Sequence, residues 1–120
     1  MATTIDVQER AGYLRFHVQG VESLHFSVDC FKAVAGESRQ RGFTNILIVE
    51  QVQGQLSVMD MFSLGKKLPE ILRGLKVAYV DLDPGHDLEN QFGENVAVNR
   101  GCTFELFSNE PEAERWLNGS

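Results

Sequence analysis

Residues 44–74 read TNILIVEQVQGQLSVMDMFSLGKKLPEILRG, and the fold depends on how this stretch is parsed. Ile46, Leu47, Ile48 and Val49 follow one another with no polar residue between them. A strand with one wet face alternates, so an unbroken aliphatic run implies cover on both faces and a place in the middle of a sheet. A glycine-containing loop comes next, followed by the most apolar helical segment of the chain. Ser57 and Asp60 form a Ser-x-x-Asp start, a relative of the capping box, so the helix is expected to begin at Ser57. Its apolar residues are Val58, Met59, Met61, Phe62, Leu64 and Leu68. At about 100° per residue these go most of the way round the cylinder, whereas an ordinary surface helix keeps them to one stripe. The excess calls for a second buried surface beyond the helix's own sheet. Pro69 is expected to kink or end the helix near Leu68, leaving 69–73 as a short further turn.

Upstream, Ile5 and Val7 alternate with polar neighbours, Ala11 and Gly12 supply a turn, and 13–19 alternates again, which is a β-hairpin pattern. Leu14, Phe16 and Val18 then face one way, and Tyr13, Arg15, His17 and Gln19 form the wet face. Val28, Phe31, Val34 and Ala35 fall at helical spacing, with Ser23 or Ser27 as N-cap and Gly42 placed to close the helix. Downstream, 75–80 reads as a strand leading into the polar loop DLDPGHD. Leu88, Phe92 and Val96 recur at i, i+4 and i+8 and mark a third helix ending around 99–101. A last strand, 103–107, sets Phe104 and Leu106 on one face. Asn109 starts a fourth helix with Pro111 in its first turn, Glu112 three residues on, and Ala113, Trp116 and Leu117 inward. The order β-β-α-β-α-β-α-β-α implies an α/β fold with a mixed sheet whose later strands are parallel and joined by right-handed crossovers.

At 120 residues and 42% hydrophobic content, the chain is expected to form a single domain over 1–120 with a core that needs no staples. Its formal charge of −6 opposes phosphate backbones and anionic headgroups, which argues against nucleic acid. Cys30 and Cys102 sit in apolar stretches and read as reduced core thiols. The first ten residues lack a signal-peptide apolar region, and no run approaches the ~20 residues of a membrane span. A soluble cytoplasmic protein is the expectation.

The element order and the last third of the chain carry a resemblance. KVAYV leads to a helix ending ENVAVNRG, then CTFELF and EPEAERWL. This looks like the closing strand, helix, strand and helix of bacterial SpoIIAA-like proteins, the fold of STAS domains and anti-sigma-factor antagonists. The resemblance implies a non-catalytic regulatory or protein-interaction module acting through the loop and apolar helix after the central strand. In those antagonists the corresponding loop bears an Asp-Ser-(Ser or Thr)-Gly motif whose serine is phosphorylated to switch partner binding. Ser57 occupies the comparable position. Here the chain reads GQLSVMD, without Asp before the serine or Gly two places after, so only the position carries over. The same architecture occurs in the CRAL-TRIO lipid-transfer group, which implies the alternative of a small apolar or lipid-like ligand held between helix and sheet.

The candidate partner or ligand surface is therefore Ser57, Val58, Met59, Met61 and Phe62, with Ser57 also the candidate phosphorylation site. The surface would serve a protein partner, a homodimer or an apolar ligand. Asp81, Asp83 and His86 are weaker polar-loop candidates, since α/β sites form beyond the C-terminal ends of strands. With Pro84 and Gly85 among them, the plainer reading is a solvated turn in which Asp87 caps the third helix. His17 and His25 have no carboxylate partner at a useful spacing. Neither cysteine has a Cys-x-x-Cys mate or an evident base, and no glycine-rich phosphate loop is present. No metal, cofactor or catalytic constellation is expected.

Overall fold

A computed structural model describes residues 4–119. It contains β1 (Thr4–Arg10), β2 (Tyr13–Val21), α1 (Leu24–Arg41), β3 (Asn45–Gln53), α2 (Val58–Ile71), β4 (Lys76–Asp81), α3 (Asp87–Asn99), β5 (Thr103–Phe107) and α4 (Glu110–Leu117). A 3-10 turn, Pro84–His86, joins β4 to α3. The five strands lie in the spatial order β1-β2-β3-β4-β5. β1 pairs antiparallel with β2, and every later pair is parallel. The aliphatic run of β3 is thus the centre of a mixed sheet, as its lack of alternation requires.

Both faces of that strand are covered. Leu14, Phe16, Ile46, Ile48, Val77 and Phe104 pack beneath α1, α2 and α3 in the larger core. Leu47, Val49, Ala78 and Val80 pack on the other face with Ala113 and Leu117 of α4. Each fully buried side chain of this size contributes roughly 1.5–3 kcal/mol, so β3 is anchored from both faces. The second face is drier than the hairpin pattern suggests. Tyr13 is buried under α4 and donates its hydroxyl to Glu114, and Arg15 grips Glu110 through two bonds of 2.9 and 3.0 Å. Of the expected wet face, Arg15 and His17 are half-buried and only Gln19 is well exposed.

Local signals account for the helix ends. Ser23 caps α1 through the Phe26 amide, and Gly42, at φ 78°, ends it in the left-handed region that a side chain would resist. Ser57 accepts from the Asp60 amide, and Asn109 from the Glu112 amide. Pro69 does not end α2. It lies in the last turn, and the helix continues to Ile71 with a Leu72 amide bond back to Leu68 of 2.8 Å. Only one intrahelical donor is lost there, so a proline in the final turn costs the helix little.

α2 and α3 lie side by side and in close contact. A Cβ on Gly65 would fall 2.8 Å from Cβ of Val96 and 3.1 Å from the Gly93 carbonyl. One on Gly93 would fall 2.6 Å from Sδ of Met61. The buried face of α3 is therefore Gly93, Val96 and Ala97. Leu88 and Phe92, which announce the helix in the sequence, point outward instead.

Candidate functional site

Both helices that follow β3 and β4 begin at the C-terminal end of the parallel strands. Of the seven large apolar side chains exposed among the described residues, five sit at that end: Val21, Val58, Met59, Leu82 and Leu88. Val58 and Met59 are 71% and 72% exposed, and Leu88 is 81% exposed. Phe62 and Phe92 meet across the α2–α3 seam with ring centroids 6.5 Å apart, which joins the two exposed sets into one face. Lys66 Nζ lies 4.9 Å from the Phe62 ring and the Arg100 guanidinium 5.5 Å from it, so cations border the face on the side away from the helix N-termini.

One expected member leaves this surface. Met61 is buried, because Gly93 lets its thioether pack into the α2–α3 seam with Leu64 and Leu68 beneath it. The apolar excess of α2 is thus resolved in two ways. One part lines the seam with α3, and the rest, Val58 and Met59 with half-buried Phe62, is left for solvent. Ser57 is exposed at the edge of that remainder, its hydroxyl engaged as the cap.

Beneath the same end lies a buried polar cluster. The DLDPGHD loop is only partly a solvated turn. Asp81 and His86 have side chains 5% and 6% exposed and meet at 2.9 Å through Nδ1, and Asn90 donates to the same Asp81 oxygen at 2.9 Å. Asp83 stays outside, 3.4 Å from His86 Nε2, and accepts from the Gly85 amide to hold the 3-10 turn. Asp87 is the first residue of α3 and does not cap it. The turn folds inward because Asp81 ends β4 on the core side, in register with Glu50 of β3. Burial would lower the His86 pKa, but the hydrogen bond and charge of Asp81, with Asp83 and Glu89 beyond, raise it above the usual histidine range.

Glu50 completes the cluster and was not a sequence candidate. It is buried, and its carboxyl lies against that of Glu22, an arrangement that favours the protonated form. Burial, then the charges of Glu22 and Asp81, push Glu50 well above the usual carboxylate range. Glu22 is raised as well, chiefly by burial, although Ser27 donates its hydroxyl and Ser23 its amide to it. The signal was present: an acid directly after ILIV, on a strand already argued to be covered on both faces.

Chemically the cluster is self-satisfied. No buried side-chain polar atom among the described residues lacks a partner, and no group of three or more His, Cys, Asp or Glu is placed to hold a metal. Asp81, Asp83 and His86 come together, but both imidazole nitrogens face carboxylates and no nucleophile stands beside them. Between helices and sheet, the cavity under α2 and α3 measures about 30 Å³ and its neighbour beside Glu50 about 20 Å³. Each has room for about one water, far below the roughly 300–1,000 Å³ of small-molecule pockets, so an apolar ligand inside the fold finds no support. An open groove of about 680 Å³ between α3 and the ends of β4 and β5 is floored by Asp81 and Asn90, which already bond each other. Cys30 and Cys102 are unpaired, and burial raises their thiols to about 12 and about 11, which leaves neither as a nucleophile. No described helix is long and apolar enough to cross a membrane.

The chain matches no family model and no curated protein. Among solved structures it is similar to the crystal structure of an anti-sigma factor antagonist from Mycobacterium paratuberculosis, with a TM-score of 0.66 at 14% sequence identity, over 98% of this chain and 95% of that one. At that identity the likeness shows the fold: a five-stranded mixed sheet with four helices, of the anti-sigma factor antagonist type.

Proposed function

We propose that residues 1–120 act as one regulatory, non-catalytic domain that binds another polypeptide through the face where α2 and α3 begin. The carrying observation is the exposure of Val58, Met59 and Leu88, the three most exposed of the large apolar side chains among the described residues, tied together by Phe62 and Phe92. Contiguous exposed apolar area is costly for a solitary monomer and marks interaction surfaces. The fold shared with an anti-sigma factor antagonist supports a role of this class. Unpaired cysteines fit a reducing, cytoplasmic setting. Ser57 is the proposed control point. A phosphate there would gain from the free amides of the helix start, yet it would set charge beside Val58 and Met59, where a partner must exclude water.

A photo-crosslinking residue in place of Met59 or Leu88, expressed in the source cells, tests the reading. A discrete protein adduct from these positions, absent when the crosslinker stands instead at Arg115 of α4 across the sheet, is the expected result, and Ser57→Asp should diminish it without loss of fold. Equal adducts from every position, or none, would defeat the proposal.

A further inference from the structure

We infer that the occupant of this face is a second copy of the chain, docked with its α2 and α3 antiparallel to those of the first; the inference rests on the interaction reading above. The face is polarised along the helix axes. At its upper end stand Asp60, Asp83, Asp87 and Glu89, within or just before the first turns of α2 and α3. Phe62 and Phe92 occupy the middle. Lys66 and Arg100 lie against Phe62 on the lower side, with Arg73 further down, and the one acid beside them, Glu70, leaves that end cationic. Among the described residues no lysine or arginine lies within the first turns of either helix, and the helix starts themselves offset only about one unit of the acidic charge.

A two-fold axis crossing the face at right angles to the helices maps the acidic end of one copy onto the cationic end of the other. It also sets the helix dipoles antiparallel and places Phe62 and Phe92 against their own counterparts, the self-complementary pattern of a two-fold interface. A parallel arrangement would oppose acid to acid and cation to cation. The charge pattern therefore selects one orientation and makes the surface complementary to itself, although the chain as a whole carries a charge of −6.

Sedimentation equilibrium of the whole protein at low salt tests this. The mass should rise from 13.4 kDa toward twice that value within the range from about 1 to 500 μM, as a small polarised interface implies. Two charge variants then check the orientation. Lys66→Glu with Arg100→Glu removes the positive excess of the lower end, and Asp60→Lys with Asp87→Lys removes the negative excess of the upper end. Each alone should dimerise at least about tenfold more weakly than the wild type, and their mixture should form a heterodimer. Circular dichroism must show each variant folded, and Asp60→Asn with Asp87→Asn replaces the lysine pair if it does not. Wild-type protein that stays at the monomer mass throughout overturns the inference, as does a mixture of folded variants that stays apart. If Met59 crosslinks in cells to a different protein while the purified chain remains monomeric, the interaction reading stands and this inference alone fails.

Discussion

Replacing Glu50 by glutamine removes one titrating proton from the core while keeping volume and shape. In the native fold the Glu50 carboxyl lies against that of Glu22, buried beside Asp81, and its pKa lies well above the ordinary value of 4.5. A group whose folded pKa is raised binds its proton more tightly folded than unfolded. Its stabilising contribution is complete below the unfolded pKa and is lost as pH rises toward the folded one. Over that window one proton corresponds to about 1.4 kcal/mol per pH unit. For a chain of this length that is about 5 °C of Tm per unit. Glu22 and His86, both raised, add slope of the same sign, whereas Glu110, lowered first by its bond from Arg15, acts only toward acid. Glutamine can donate to Glu22 without a proton from solvent. Thermal melts from about pH 5 to pH 8 should therefore show wild-type Tm falling with pH, and Glu50→Gln flatter by close to one proton's slope. The variant should match the wild type near pH 5 and exceed it by several degrees near neutrality. Two parallel lines would show that Glu50 does not hold its proton in the folded state, and the account of the cluster would be wrong.

Three further outcomes follow from particular contacts. Gly65→Ala should cost about 1–3 kcal/mol in denaturant melts, because Cβ would strike the branched Val96 and a backbone carbonyl; Gly93→Ala should cost less, since Met61 can rotate away. Ser57→Ala should lose about 1 kcal/mol of helix-cap energy by the same assay, whereas Ser57→Asp keeps a capping oxygen and most of the stability. An NMR titration of His86 should give a midpoint above 6.5, and Asp81→Asn should lower it, since burial then acts with less opposition; a midpoint unmoved by that substitution would detach the pair.

The scaffold was legible because its signals are local. Ile46 to Val49 lack alternation only because α4 covers their second face, and Ser23, Gly42, Ser57 and Asn109 mark helix ends through bonds within a few residues. The site was legible in part. Val58 and Met59 stand out as surplus apolar residues, but Met61 has the same chemistry and differs only in facing Gly93, a residue more than thirty positions away. Leu88 and Phe92 carry a helical period yet point outward, because the inner face of α3 is built from small residues that let α2 come close. Asp81 and His86 read as a wet turn because proline and glycine accompany them. Their burial comes from the register of β4 against β3, which no window along the chain contains. Pro69 signals a helix end that does not come, since a proline in a final turn removes little.

The glycine seam between α2 and α3 also bears on how a visitor is received. With Gly65 against Val96 and Gly93 against Met61, the two helices pack at close range, and sliding one past the other would give up these fitted contacts, which favours their moving as one plate. The spacing of Phe62 and Phe92 is therefore set before any encounter, and little backbone entropy is surrendered on docking. Loosening the seam should erode affinity through faster departure, even where every residue of the outer surface is intact.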